Sequence, residues 1–178
     1  MIYNGIGYDF YYYISDGDDG TERFDLTGWT DYEGNLAGEV GVPSTGFWLR
    51  IPEATCSTGS LTESGAVESD ATTSVTIASG LSLAGNPYPT SLNLSEVVTS
   101  GLKAGVYSSM ETDAPCIMIY NGIGYDFYYY ISDGDDGTER FDLTGWMNFE
   151  GNVAGVVAPA GTGFWLRSTT AGTLTFSL

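Results

Sequence analysis

The residues of this sequence that are best suited to binding a metal ion or to catalysis lie in two acidic loops. The string SDGDDGTERFD occurs at 15–25 and again at 132–142, and it places several carboxylates between glycines. Carboxylate oxygens are the hard ligands that calcium takes, although the spacing departs from the helix-loop-helix calcium pattern. The same residues could instead form a solvent-exposed acidic turn in which the glycines allow the backbone to bend. The candidate calcium ligands are Asp16, Asp18, Asp19 and Glu22 in the first loop and Asp133, Asp135, Asp136 and Glu139 in the second.

The same acids also raise the question of a glycosidase. Such an enzyme holds two carboxyl groups in unlike environments on either side of a sugar, and acids clustered at a loop tip do not provide this. The sequence contains no histidine, so a serine or cysteine nucleophile lacks its usual base, and a zinc or copper site is not expected. The sequence therefore predicts a protein that is not an enzyme, with no catalytic residues and no cofactor other than calcium.

An aromatic stretch precedes each acidic loop. Residues 8–14 read YDFYYYI, and period-two alternation predicts a strand with two distinct faces. The face that begins at Tyr8 and contains Phe10, Tyr12 and Ile14 is predicted to enter the core. The opposite face is predicted to be an aromatic surface for a partner chain or for stacking on sugar rings. The residues of this predicted interface or ligand surface are Tyr11, Tyr13, Tyr128 and Tyr130.

The chain contains a long internal repeat. Residues 1–29 are identical to residues 118–146, an offset of 117, and EGNLAGEVGVPSTGFWLR (33–50) then faces EGNVAGVVAPAGTGFWLR (150–167). By this offset, the counterpart of 72–117 would lie before residue 1. The sequence thus predicts an incomplete unit at 1–65, which is the back half of the repeat, and a complete unit at 66–178.

Alternating hydrophobicity dominates both units, and glycine or proline clusters recur every eight to twelve residues. This pattern predicts an all-β protein made of β-sandwich or jelly-roll-like modules, one complete and one an incomplete copy. A short helix or turn is expected within 92–102, with Ser95 as its N-cap and Gly101 as its end.

The charge and the cysteines restrict the partners. The chain has 5 Lys and Arg against 23 Asp and Glu, a formal net charge of −18, so nucleic acid and anionic membrane surfaces are not expected as partners. No apolar run is long enough for a membrane-spanning helix. Cys56 and Cys116 either form one disulfide or remain two buried thiols.

Three strings in the second unit suggest a family. LSLAGNPYPTSL, IMIYNGIGYDFYYY and APAGTGFWLRSTTAGTLTF follow one another in this order. In this respect the chain resembles tandem β modules of secreted bacterial surface proteins, which carry a Gly-Asn-Pro-Tyr-Pro strand exit, an aromatic hairpin and a closing Gly-Phe-Trp strand. The resemblance implies an extracellular or cell-surface location and a structural or adhesive role, and it brings no catalytic residues.

Together these observations predict a non-enzymatic extracellular structural protein that self-assembles into a filament or surface layer. The incomplete unit either packs against the complete unit or gains its missing strands from a neighbouring chain by strand addition, and the second is expected here. The alternative is a carbohydrate-binding module, which the acidic loops would make calcium-dependent.

Overall fold

The computed structural model describes residues 1–3, 8–15, 27–38, 47, 69–132 and 144–178. Antiparallel strands make up most of this part of the chain, which confirms the predicted all-β, sandwich-like fold. The strands are β1 (Ile2–Tyr3), β2 (Tyr8–Asp9), β3 (Tyr12–Ser15), β4 (Thr27–Thr30), β5 (Thr72–Ile77), β6 (Gly80–Gly85), β7 (Leu92–Asn93), β8 (Val98–Ser100), β9 (Cys116–Tyr120), β10 (Tyr125–Ser132), β11 (Thr144–Asn148), β12 (Val156–Ala158), β13 (Gly163–Ser168) and β14 (Gly172–Ser177).

A five-stranded sheet forms the larger layer of residues 69–178, with the strand order β11-β10-β9-β13-β6. Its centre is the hairpin that the repeated aromatic string predicts. Strand β9 pairs with β10 from Tyr120 opposite Tyr125 to Cys116 opposite Tyr129. The turn between them contains Gly122 at φ 97°, a backbone conformation that glycine adopts without strain.

A three-stranded sheet, in the order β5-β14-β8, forms the opposing layer. Strands β5 and β6 follow each other in the chain, but β5 pairs with β14 and β6 with β13, so these two consecutive strands lie in different sheets. The main core lies between the layers, and the short β7–β12 pair closes one side of it. Its largest members with at most 2% exposure are Ile77, Tyr88, Leu92, Leu94, Ile117, Trp146, Phe164, Leu166 and Leu174.

The opposite side of the five-stranded sheet carries a second, smaller core. A segment containing a 3₁₀ turn at Tyr107–Ser109 and the short helix α1 (Met110–Asp113) lies over it. Gly105 joins this segment to the sheet, since its N–H donates to the Tyr130 carbonyl at 3.0 Å and its carbonyl accepts from the Ser132 N–H at 3.1 Å. This core consists of Met110, Ala114, Cys116, Tyr129, Ile131 and Met147.

The helical element expected within 92–102 is a single 3₁₀ turn at Leu94–Glu96, followed directly by β8. Its N-cap is Asn93 and not Ser95. The Asn93 Oδ1 accepts from the Ser95 N–H at 3.2 Å and from the Ser95 hydroxyl at 2.8 Å. Asparagine and serine both cap well, so adjacent candidates leave the starting residue undecided in the sequence.

Strands of the first unit repeat part of the larger sheet. The β1–β2 register, Ile2 opposite Asp9 and Tyr3 opposite Tyr8, is that of β9–β10 shifted by 117 residues. The β3–β4 register likewise repeats that of β10–β11. An antiparallel bridge from Ile2 to Phe47 continues the pattern, because it matches the β9–β13 register.

Candidate functional site

We call the side of the five-stranded sheet that faces the main core its inner face, and we use the same term for the equivalent side of the first unit. In the second unit, Tyr130 and Trp146 lie on this face with their ring centroids 5.3 Å apart. Trp146 is 2% exposed and Phe164 is 1% exposed, and Ile119 lies beside them at 4%. The inner face of the second unit is therefore a covered, aromatic-rich surface.

The first unit presents the same side chains without that cover. Tyr13 and Trp29 make the equivalent contact, with ring centroids 5.6 Å apart and an interplanar angle of 66°. Phe47, the counterpart of Phe164, is 40% exposed, and Tyr13 is 60% exposed. We call these residues, Ile2, Tyr13, Trp29 and Phe47, the open face.

The cause of the difference is the layer that covers the second unit. Side chains of β5 and β14, namely Ile77, Leu174 and Phe176, belong to the same core as Trp146 and Phe164. The rings of Phe164 and Phe176 lie 6.5 Å apart. Strand β5 of this layer belongs to 72–117, the segment that precedes the repeated string in the second unit, and we call 72–117 the front segment.

Positions elsewhere on the sheet act as an internal control. Leu36 is 60% exposed and its counterpart Val153 is 63% exposed, while Phe10 and Phe127 are exposed by 47% and 44%. These sites are open in both units, so exposure is not a general property of the first unit. Phe47 and Phe164 do differ, and Phe164 packs on Phe176 of the opposing layer.

The open face presents apolar aromatic surface next to an acidic turn. Asp31, which follows Trp29 and β4, accepts hydrogen bonds at one carboxylate oxygen from the Glu33 and Asn35 N–H groups, each at 2.9 Å. The Asn35 amide donates to the other oxygen at 3.0 Å, and these bonds lower the pKa of Asp31. Asn148 builds the same turn in the second unit, where it accepts from the Glu150 and Asn152 N–H groups.

The predicted aromatic interface residues occupy different environments. Tyr13 is exposed on the open face and Tyr11 is half-buried, whereas Tyr128 and Tyr130 pack against the main core. Burial raises the pKa of Tyr128, and Asp126 raises it further. In the second unit, this part of the predicted interface is used for packing within the unit.

The prediction that the opposite face of this strand is core is wrong for the first unit. Tyr8, Phe10 and Tyr12 are exposed by 40%, 47% and 50%. In the second unit, Tyr129 and Ile131 on that face are buried, but under α1 and not between the two sheets. From Tyr128 to Ile131, both faces of β10 are thus covered, and alternation alone does not distinguish them.

The eight candidate calcium ligands lie outside the described residues, so the calcium site stays a prediction. Among the residues that the structure does describe, no three of the side chains that commonly bind metals come together. One cleft, lined in part by Leu92, Glu96 and Phe176, has a volume of about 30 Å³, and Glu96 is the only carboxylate among its lining residues. A glycosidase would need a second acid there.

Cys116 is a free thiol buried in the second core, with 1% exposure. Burial raises its pKa to about 11, against the opposing effect of the Arg167 charge. Cys56, its predicted disulfide partner, lies outside the described residues.

No described helix has the length and apolar character needed to cross a membrane. Comparison of the chain with protein-family models, with curated proteins and with solved structures finds no match. The resemblance to tandem β modules of bacterial surface proteins therefore stays a prediction.

Proposed function

We propose that this chain is a non-enzymatic structural protein of the cell exterior that self-assembles into a filament or surface layer. In this proposal, a neighbouring chain covers the open face of the first unit. One observation carries it: Phe47 is 40% exposed where the identical Phe164 is 1% exposed. A folded unit whose main core side chains face solvent gains stability from any surface that removes them from water.

The composition of the open face supports association with protein. Large aromatic side chains supply much of the buried area and binding energy of protein interfaces. Tyr13 and Trp29 are already held edge to face, so little side-chain freedom is lost when a partner packs on them. The antiparallel bridge between Ile2 and Phe47 places Ile2 beside Phe47 on the same surface.

The assembly is tested by electron microscopy of the purified chain, with sedimentation of the same sample. We expect regular particles, fibres or sheets that grow with protein concentration. A chain that stays monomeric at its highest soluble concentration, with both units folded, contradicts the proposal.

The Tyr13–Trp29 pair, in which Tyr13 is exposed and Trp29 is half-buried, favours one alternative function, carbohydrate binding. Paired aromatic rings on a sheet can stack on the apolar faces of sugars. This alternative predicts that the chain is retarded in a gel that contains a neutral polysaccharide, and that Tyr13→Ala removes the retardation. Loss of retardation on adding a chelator would assign calcium to this function.

A further inference from the structure

We infer that Asn121 is a site of spontaneous self-modification, at which the side chain condenses with the backbone nitrogen of Gly122 and is converted into aspartate and isoaspartate. The inference is independent of the proposed assembly. Both residues lie in the exposed turn between β9 and β10. Asparagine is one of the thermolabile residues, and its surroundings in the fold decide which asparagines of this chain react.

The reaction needs only these two residues and water. The Gly122 nitrogen gives up its proton to water or hydroxide and attacks the Asn121 Cγ, so that a five-membered succinimide ring forms. The bond from Cγ to Nδ2 breaks, and this nitrogen takes up a proton and leaves as ammonia. Water then adds to one of the two ring carbonyls and opens the ring to aspartate or isoaspartate. Because the attack is intramolecular, a turn that holds the two groups together favours it.

Hydrogen bonds hold the Asn121 amide in one orientation. Its Oδ1 accepts from the Ile123 N–H at 3.1 Å and from the Gly124 N–H at 2.9 Å. Its Nδ2 donates to the Asp126 Oδ1 at 2.9 Å, so a flipped amide would direct its oxygen at a carboxylate. Negative charge develops on Oδ1 when Cγ is attacked, and two N–H groups that are already directed at this oxygen stabilise that charge.

Gly122 leaves the attacking nitrogen accessible. The residue is exposed, and nothing lies within 4 Å of the position that a Cβ would take. Within the part of the chain that the structure describes, the Gly122 N–H donates no hydrogen bond. No bond between described residues therefore has to break before the nitrogen attacks, and glycine has no side chain that hinders its approach.

Other asparagines form the same kind of turn but are followed by a residue that cannot attack as readily. Asn86 and Asn93 each accept a hydrogen bond at Oδ1 from the N–H two residues ahead, which is an Asx turn. Asn86 precedes Pro87, whose nitrogen has no proton to lose. Asn93 precedes Leu94, whose N–H donates to the Gly155 carbonyl at 2.9 Å. Neither turn therefore offers a free backbone N–H to the amide.

Asn148 provides an internal comparison for Asn121. Its Oδ1 also accepts from two backbone N–H groups, at 3.0 and 2.9 Å. The residue that follows is Phe149, which is 59% exposed, and its side chain crowds the nitrogen that would attack. The two sites share an amide that is polarised by N–H donors and differ in the residue that follows it. Unequal conversion at the two sites therefore measures the contribution of Gly122.

The test is peptide mapping by mass spectrometry after the folded chain is incubated at mildly alkaline pH. Trypsin releases Asn121 in the peptide 104–140, as its only asparagine, and Asn148 in the peptide 141–167. The identical Asn-Gly at 4–5 lies outside the described residues and is released in a different peptide. Loss of ammonia and gain of water raise the peptide mass, which isomerisation of an aspartate does not. We expect Asn121 to convert about tenfold faster than Asn148, a difference in barrier of about 1.4 kcal/mol.

Phe149→Gly is the matched variant, because it changes an exposed residue and gives Asn148 a following glycine. We expect conversion at Asn148 to rise toward that at Asn121. Three results would overturn the inference: conversion at Asn121 that occurs only in denaturant, equal conversion at Asn121 and Asn148 in the unsubstituted chain, or an Asn148 that stays unreactive in Phe149→Gly. None of these results bears on the proposed assembly, since the reaction takes place within one chain.

Discussion

Residues 47 and 164 show most clearly that the environment, and not the amino acid, sets the role of a side chain here. Both are phenylalanines in the same pentapeptide GFWLR, and one is exposed while the other is fully buried. The sequence predicts a strand residue at both positions; Phe164 lies in β13, and Phe47 forms one bridge to Ile2 in the matching register. The sequence contains no local signal for which copy has a covering layer, because that layer is made of residues distant in the chain.

This difference predicts unequal effects of the same truncation. Phe164→Ala should lower the free energy of unfolding of the second unit by about 3–5 kcal/mol, because it leaves a cavity in a close-packed core. Phe47→Ala, measured at dilution where chains are single, should change it by about 0.5 kcal/mol or less, as exposed substitutions usually do. Denaturant unfolding followed by circular dichroism measures both. Equal losses would show that Phe47 is buried within its own chain.

Cys116 gives a second prediction at the residue scale. With a pKa near 11, about one thiol in a thousand is ionised at pH 8, and the thiolate is the reactive form. The reactive fraction rises about tenfold for each pH unit up to the pKa. We therefore expect Cys116 to react with a disulfide reagent only after denaturation.

The same titration tests the disulfide predicted between Cys56 and Cys116. A denatured chain without reductant should show the Cys116 thiol, since the structure has it free. A chain that yields no thiol until a reductant is added would establish the disulfide instead.

At the scale of elements, the sequence predicts the local structure better than the pairing. The aromatic hairpin, the closing Gly-Phe-Trp strand and the tight turns all form as their patterns indicate. The separation of β5 and β6 into different sheets was not predictable in this way, because a short connection suits either a hairpin or a crossing between layers. The segment 105–114, which covers the second core and which we call the covering segment, was not predictable from the sequence either. Its single helical turn has too few residues to show a helical period.

The covering segment depends on close contact at one glycine. A Cβ at Gly105 would lie 2.6 Å from the Ala114 Cβ and 2.8 Å from its Cα, so the backbone would have to move. Gly105→Ala should destabilise the second unit by about 1–3 kcal/mol through overpacking, and Tyr129 and Ile131 should become more accessible. Gly155→Ala is the matched control, because nothing lies within 4 Å of a Cβ there. Equal stability of the two variants in thermal unfolding would show that the segment does not pack as described.

For the whole molecule, the open face and the net charge have opposite effects on the association of identical chains. The open face favours association, while a net charge of −18 on each chain opposes the approach of identical copies. Salt screens this repulsion, with a Debye length of about 10 Å at 0.1 M. Assembly should therefore strengthen as ionic strength rises. Growth into a filament or layer uses a further surface besides the open face. Phe10 and Phe127, which are exposed in both units, lie on the opposite side of the sheet from the open face.

The central claim is that a second chain covers the open face, and sedimentation velocity of the unsubstituted chain over a range of protein and salt concentrations tests it most directly. We predict a reversible shift from single chains to assemblies of two or more as protein concentration rises, with the midpoint moving to lower protein concentration at higher salt. A single monomeric boundary under all of these conditions, from a chain whose two units are folded, would contradict the claim.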